Sequence, residues 1–239
     1  AVALSLAEGL AAIALLQYIA PGCPVALGTF TSNVDMRSGA PAFGTPEYMR
    51  ATQMTGQMAR FYGLPLRSSG VCAANVPDGQ AMWETSNSLW AAVQSGSNMV
   101  YHAAGWLEGG LIASPEKFVM DCEVLQMIQR YFEGTVTATT EEDIAIDAIR
   151  EVGPGGHYFG ARHTQDRYAT AFHAPFVSDW RNYEAWEQDG AHWTPERAHR
   201  IYKAILAEFE PPPMDGAARE ALERFVARRK AEGGAPTDF

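Results

Sequence analysis

Residues 28–47, GTFTSNVDMRSGAPAFGTPE, are the stretch that most clearly indicates the fold of this chain. A short apolar run at 25–27 leads into a polar segment that contains Asn33 and Asp35, and Gly44 and Pro46 precede an amphipathic stretch. A buried strand that leads into a loop shaped by glycine and proline, and then into a helix, is typical of α/β proteins, which place their chemistry at the carboxyl ends of strands. The same order recurs three more times, so the sequence predicts an α/β fold with a site at one edge of the sheet.

Strands and helices are predicted to alternate along the chain. Strand-like runs begin near Pro24, Pro65, Asn98 and His157, and helices are predicted over about 46–62, 78–95, 115–132 and 141–153. This alternation favours a parallel sheet. Apolar residues at helical spacing predict which helix faces point inward. In the first and third of these helices they are Ala51, Met54, Met58 and Phe61, and Phe118, Cys122, Leu125, Ile128 and Phe132.

Four strand–helix units are too few to close an eight-stranded barrel, and the chain opens inside a continuous apolar helix over residues 1–20. We therefore expect residues 1–210 to form the C-terminal half of a (β/α)8 TIM barrel, with the other half upstream of Ala1. The composition changes after Glu210. Three prolines at 211–213 form a predicted linker, and a charged helical tail occupies the rest of 211–239.

Composition excludes several classes of partner. The 239 residues are 47% hydrophobic, enough for a substantial core, and their net charge of −10 without any basic block argues against nucleic acid. The longest apolar run, residues 10–20, is shorter than the roughly 20 residues of a membrane span, so we interpret it as part of a buried helix and expect no membrane association. Cys23, Cys72 and Cys122 lie far apart, which favours reduced thiols in a cytoplasmic protein.

Polar and aromatic residues follow each of the four predicted strands, where a barrel places its chemistry. They are Phe30, Asn33, Asp35, Asn75, Asp78, Gln80, Trp83, Glu84, Tyr101, His102, Trp106, Arg162, His163 and Thr164. Taken singly, some of these residues have a purely structural interpretation: Asp78 is also a suitable helix cap, and a lone histidine such as His102 is often a core residue. Because such residues follow all four predicted strands, we expect a functional site at this rim of the barrel. The sequence has no HExxH motif or Cys/His cluster, so no metal site is predicted.

Three long segments of the chain resemble the trimethylamine methyltransferase (MttB-like) family. They are residues 28–47, residues 77–125, and residues 153–168, GPGGHYFGARHTQDRY. The resemblance implies a (β/α)8 barrel of about twice this length and methyl transfer to Co(I) of a corrinoid (cobalamin) carried by a separate partner protein. Archaeal members carry a pyrrolysine near the segment that here reads ANVPD at 74–78. Ordinary residues in that segment point to the branch without pyrrolysine, whose members demethylate quaternary amines such as glycine betaine.

The resemblance also suggests roles for the rim residues. A quaternary ammonium is bound by aromatic faces, and Phe30, Trp83, Tyr101 and Trp106 are the available rings. Asn33 and Asp35 are expected to bind substrate, Arg162 to hold a carboxylate, and Glu84, His102 and His163 to act as catalytic or orienting groups. The alternative to a methyltransferase is a non-catalytic protein that binds or senses quaternary amines with the same aromatic cage. The sequence does not decide whether the protein forms a homo-oligomer.

Overall fold

The computed structural model describes residues 1–28, 31–134 and 137–234. The chain divides into two compact units, Ala1–Tyr202 and Lys203–Phe239. The helices are α1 (Val2–Ile19), α2 (Pro46–Phe61), α3 (Gly79–Gln94), α4 (Pro115–Phe132), α5 (Ile146–Val152), α6 (Arg162–Gln165), α7 (Tyr183–Gln188), α8 (Thr194–Ala207) and α9 (Gly216–Ala231). The strands are β1 (Asn33–Val34), β2 (Pro41–Ala42), β3 (Arg67–Ser69), β4 (Met99–Tyr101), β5 (Trp106–Leu107) and β6 (Ile112–Ala113).

Local capping explains where the three long helices of the first unit begin. Thr45 accepts a hydrogen bond from the Tyr48 N–H at the start of α2, and Ser114 accepts one from the Lys117 N–H at the start of α4. Asp78 caps α3 by accepting the N–H groups of its first turn. Such caps satisfy donors that have no partner inside the helix. The predicted bounds of these three helices are confirmed to within a residue.

A small parallel sheet forms the centre of the first unit. β3 pairs with β4 in parallel, with Ser69 opposite Tyr101, and Leu27 forms a parallel bridge to Leu66 just before β3. The second and third predicted strands are therefore confirmed as short parallel strands, and of the first only the isolated parallel bridge at Leu27 is present. The other strands form two antiparallel hairpins, β1 with β2 and β5 with β6.

The two faces of the parallel sheet have different environments. Leu27 and Leu66 pack with Leu6 of α1 and Ala59 of α2, and Val100 packs against the cluster between α3 and α4. Alternate strand residues point to the opposite face. Those residues are Arg67, Ser69, Met99 and Tyr101. Met99 and Tyr101 are 50% and 47% exposed, whereas Ser69 is fully buried, so within the described residues this second face is open along β4.

The predicted fourth strand is wrong. Tyr158–Gly160 forms a 3₁₀ turn, closed by a hydrogen bond from the Ala161 N–H to the Tyr158 carbonyl, and α6 follows at once. Tyr158 and Phe159 are exposed, and no other strand pairs with this stretch in the part of the chain that the structure describes. Within that part the sheets are two-stranded and no barrel closes. The α/β class is thus confirmed, and the half-barrel remains a prediction.

The predicted helix faces are wrong in part, because the buried surfaces are not the most apolar ones. In α2, Ala51 is buried as expected, but Phe61 is exposed, and the buried side chains are otherwise small or hydroxyl-bearing apart from Tyr48. In α4, Phe118 and Phe132 are exposed, whereas Lys117 and Asp121 are fully buried. Small residues allow close packing, and the buried charges compensate each other.

The predicted burial of α1 is also wrong, since Leu6 is its only buried residue. The helix is apolar on every side, so its sequence gives no amphipathic direction from which a buried face could be read. By length and composition alone α1 is apolar enough to cross a membrane, with a mean hydropathy of 1.8. Core helices and signal sequences pass the same test.

The second unit contains the end of α8 and helix α9. Asp215 caps α9 by accepting the Ala218 N–H at 3.0 Å. Three basic residues at 228–230 lie in its last turn, where positive charge is favourable. The predicted charged tail helix is confirmed as an element. The predicted division at residue 210 stays a prediction.

Candidate substrate site at the ends of strands β3 and β4

Five residues in and after β3 and β4 form what we call the strand-end cluster: Arg67 and Ser69 of β3, Tyr101 at the end of β4, His102 after it, and Trp106 of β5. His102 follows β4 directly, and its Nδ1 lies 3.0 Å from Ser69 Oγ. The imidazole stands edge-on to both neighbouring rings, with centroids 6.1 Å from Tyr101 and 5.3 Å from Trp106. The structure thus brings three sequence-predicted residues, Tyr101, His102 and Trp106, into one group.

His102 has two features that are typical of functional residues. Its φ of +54° lies in the left-handed region, which costs energy for a residue with a Cβ. Burial, followed by the positive charge of Arg67, lowers the pKa of His102 below its ordinary value of 6.5. The imidazole is therefore mainly neutral at pH 7, and it can exchange hydrogen bonds with Ser69 and a ligand without adding a cation to the site.

Arg67 and Ser69 are members of the cluster that sequence reasoning missed. The guanidinium carbon of Arg67 lies 4.4 Å from the centroid of the Tyr101 ring. This is the geometry of a cation–π contact. Both residues lie within a strand, whereas the sequence search considered only residues after strand ends. Their i, i+2 spacing on a strand next to Tyr101 is the signal that could have identified them.

Glu84 holds the segment that follows β3. Its Oε2 accepts the N–H groups of Ala73 and Ala74 at 2.7 and 3.0 Å, and its Oε1 accepts the Gln80 side chain at 2.9 Å. Both oxygens are therefore engaged by the protein. The predicted catalytic role of Glu84 is untested, but these contacts favour a positioning role for segment 73–74.

A buried ion pair holds the segment that follows β4. Asp121 accepts the N–H of Gly105 at 2.9 Å and pairs with Lys117, whose Nζ also donates to Thr85 at 2.8 Å. The next residue, Trp106, accepts a hydrogen bond from the Cys72 thiol through its carbonyl. Sequence reasoning missed this pair because Lys and Asp at i, i+4 on a helix usually form a solvent-exposed pair.

Asn33 and Asp35 have structural partners of their own. Thr45 Oγ1 donates to the Asn33 side chain at 2.6 Å, which ties β1 to the start of α2. Asp35 accepts the side-chain hydroxyl of Ser38 and the N–H groups of Arg37 and Ser38, and these bonds lower its pKa. These contacts shape the loop between β1 and β2. The remaining predicted residue of this loop, Phe30, lies outside the described residues.

The structure does not place Arg162 and His163 at a strand end. Both lie in α6, and the exposed Arg162 guanidinium is 3.5 Å from Asp166. Trp83 lies on α3 and is 60% exposed. No hydrogen bond or ring contact among the described residues joins any of these three side chains to the strand-end cluster. Their predicted roles in binding and catalysis remain untested.

Over the described ranges, no group of three or more His, Cys, Asp or Glu residues is arranged to hold a metal ion. The strand-end cluster offers several groups for non-covalent binding. Two aromatic rings suit a cation, the Arg67 guanidinium suits an anion, and the imidazole, which is held by the buried Ser69 hydroxyl, provides a hydrogen-bonding group.

Comparison with known proteins gives the same family as the sequence motifs. The profile of the family described as trimethylamine methyltransferase (MTTB) matches residues 1–234. A glycine betaine methyltransferase from Desulfitobacterium hafniense is 40% identical over 230 residues, which are 95% of this chain and 47% of that protein. The trimethylamine methyltransferase MttB of Methanosarcina thermophila is 30% identical over 212 residues, 87% of this chain and 43% of its own length. This chain spans about half the length of these relatives, and it belongs to the trimethylamine methyltransferase family.

Proposed function

We propose that this chain is part of a corrinoid-dependent methyltransferase that takes a methyl group from a quaternary methylated amine such as glycine betaine. The single observation that carries the proposal is the strand-end cluster, in which the centroid of the His102 ring lies 6.1 Å from that of Tyr101 and 5.3 Å from that of Trp106. Family membership and the 40% identity to a glycine betaine methyltransferase support it. The half-barrel is part of the same proposal, because barrels carry their sites at strand ends.

In this reaction the protein mainly has to bind the substrate and align it with the methyl acceptor. The corrinoid, carried by a partner protein, supplies nucleophilic Co(I) as the methyl acceptor. The N–CH₃ bond breaks with its electron pair left on nitrogen, so the positively charged ammonium leaves as a neutral tertiary amine. No proton has to be added. The cluster therefore has to hold the cation, direct one methyl group outward and exclude water.

The aromatic members of the cluster and the carboxylates that hold nearby backbone each have a task in this proposal. Tyr101 and Trp106 offer aromatic faces to the ammonium. His102, neutral at pH 7 because its pKa is lowered, borders both rings without repelling the cation. Asp121 fixes the backbone of Gly105, next to Trp106, and Glu84 fixes the segment at 73–74 that follows β3.

The sequence of residues 74–78 indicates which class of amine is the substrate. It contains only ordinary residues, ANVPD, and Asp78 in it serves as the cap of α3. A tertiary amine has a poor leaving group unless something activates it, whereas a quaternary ammonium is already activated by its charge. The proposal therefore names quaternary amines. We also propose a cytoplasmic location, in keeping with three free cysteines.

Methylation of cob(I)alamin tests the proposed function. The full-length protein is incubated anaerobically with cob(I)alamin and a panel of quaternary amines, with trimethylamine as the comparison, and the loss of Co(I) absorbance is followed. We expect turnover with at least one quaternary amine and slower turnover with trimethylamine. No turnover with any quaternary amine, or faster turnover with trimethylamine, contradicts the proposal. Tight binding without any transfer would instead identify a binding or sensing protein.

A further inference from the structure

We infer that Arg67 binds the carboxylate of the substrate, so that the site selects amines that carry both a methylated ammonium and a carboxylate. This inference rests on the proposed function and deepens it. It assigns substrate selection to a residue inside β3, in the middle of the parallel sheet. The sequence had suggested Arg162 for this task, but Arg162 lies on α6 and pairs with Asp166.

Arg67 carries a positive charge that has no ionic partner in the described part of the chain. Its guanidinium lies over Tyr101 at 4.4 Å, and it forms no ion pair there, although the chain has 28 acidic residues against 18 basic ones. The residue is half-buried on the sheet. A partly desolvated charge is costly unless an opposite charge accompanies it. A bound carboxylate would supply that charge.

The chemistry of a guanidinium suits both neighbours at once. A guanidinium that packs on an aromatic ring through its flat face keeps its N–H edge available for hydrogen bonds, and the Arg67 guanidinium lies 4.4 Å from the centroid of the Tyr101 ring. That edge matches a carboxylate in two parallel N–H···O bonds. Arginine is better suited to this arrangement than lysine, because the ammonium of lysine is a point charge that neither stacks on a ring nor forms bidentate hydrogen bonds with a carboxylate.

The cluster keeps the positive charge of Arg67 apart from the place where an ammonium can bind. The face of Tyr101 that Arg67 covers cannot also hold an ammonium, because like charges repel. The cation is therefore directed to Trp106 or to the other Tyr101 face, with the neutral His102 between the rings. One methylene separates ammonium from carboxylate in glycine betaine. A cation subsite beside an anion subsite fits such a zwitterion, and it disfavours amines that bear only the cation.

Binding of matched ligands to Arg67 variants of the full-length protein tests this inference. Glycine betaine carries a carboxylate, whereas choline carries a hydroxymethyl group and tetramethylammonium carries neither. Calorimetry on the wild type is expected to show tighter binding of glycine betaine than of the other two. Arg67→Met is expected to weaken betaine binding by about 10- to 100-fold and to change choline and tetramethylammonium binding by less than about threefold. Arg67→Lys should restore part of the loss.

The control variant is Arg50→Met, which removes an exposed arginine of α2 and should leave all three affinities unchanged. Thermal melts of every variant check that the fold is retained. Equal weakening of all three ligands in Arg67→Met would overturn the inference and would mean that Arg67 instead pairs with a protein carboxylate and supports the rings. Wild-type binding of choline as tight as that of glycine betaine would also overturn it.

The two proposals can fail separately. If methyl transfer to cob(I)alamin occurs but shows no preference for carboxylate-bearing amines, the proposed function holds and the role of Arg67 is refuted. If glycine betaine binds selectively and depends on Arg67 but no amine gives transfer, the carboxylate subsite holds and the enzymatic function is refuted.

Discussion

Removing the Glu84 carboxylate should destabilise the protein by an amount that its contacts allow us to estimate. Glu84 accepts two backbone N–H groups, and that of Ala74 belongs to a residue only 2% exposed. A buried donor left without a partner costs about 1–3 kcal/mol. Glu84→Ala should therefore lower the free energy of unfolding by about 2–5 kcal/mol. Glu84→Gln keeps one carbonyl oxygen as acceptor for these N–H groups and loses the charge assistance and the acceptor for the Gln80 side chain, about 1–2 kcal/mol together.

Thermal and urea unfolding, followed by circular dichroism, measure these effects. For a chain of this size 1 kcal/mol corresponds to about 2–4 °C, so Glu84→Ala should lower the Tm by roughly 5–15 °C. The control is Glu133→Ala, at the exposed end of α4, where the surface pair with Arg130 should contribute less than about 1 kcal/mol. The reasoning is refuted if Glu84→Ala melts within 2 °C of that control, a limit set by the same scaling.

Glu84→Gln also separates positioning from catalysis. A general acid or base contributes about 10²- to 10⁴-fold to a rate, whereas an amide in its place can still accept the same backbone hydrogen bonds. We expect kcat for methyl transfer to stay within about tenfold of the wild type. A loss of kcat of about 10²-fold or more, with the melting temperature nearly unchanged, would restore the catalytic role predicted from the sequence.

Two further predictions concern the aromatic site and the response to acid. Tyr101→Leu should weaken the binding of a quaternary ammonium by about 5- to 30-fold, equivalent to about 1–2 kcal/mol. Trp193→Leu removes an exposed ring and should leave this binding unchanged. Calorimetry measures both affinities, and equal effects of the two substitutions would contradict a role of the strand-end cluster in cation binding. Burial tends to raise the pKa of Glu123, but hydrogen bonds from residues 176–178 outweigh it and lower that pKa below 4.5. Its stabilisation is therefore present above pH 4.5 and lost as the pH falls through the lowered pKa. Glu123→Gln should flatten the fall in urea midpoint below pH 4.5, and an unchanged slope would contradict this assignment.

Local chemistry made much of the fold predictable. The Thr-Pro-Glu and Ser-Pro-Glu sequences at 45–47 and 114–116 satisfy the first N–H groups of a helix without help from distant residues, so they gave correct starts for α2 and α4. The strand at 157–161 failed for the opposite reason. A strand needs a neighbour, and this stretch satisfies its backbone with a 3₁₀ turn instead.

The site was predictable where residues follow a strand and obscure where they lie elsewhere. Tyr101 ends β4, His102 follows it directly, and Trp106 begins β5 soon after, so the rule of strand ends found them. Arg67 lies inside β3, where side chains are usually assigned to the core. The partners of Glu84 and Asp121 are backbone N–H groups, which have no signature in a sequence.

Three helical carboxylates have one task in this structure, and this explains why the cluster can be both strained and well defined. Glu84, Asp121 and Glu123 each accept backbone N–H groups of a following or preceding loop, at 73–74, at 105 and at 176–178. Charge-assisted bonds of this kind fix a loop to a rigid helix. The left-handed backbone of His102 lies three residues before Gly105, and the hydrogen bond from Gly105 to Asp121 can offset part of its cost. The acidic groups near the cluster are thereby committed to the backbone, and the group left to meet a ligand charge is the cation of Arg67. In a chain with a net charge of −10, that arrangement favours a substrate that brings its own carboxylate.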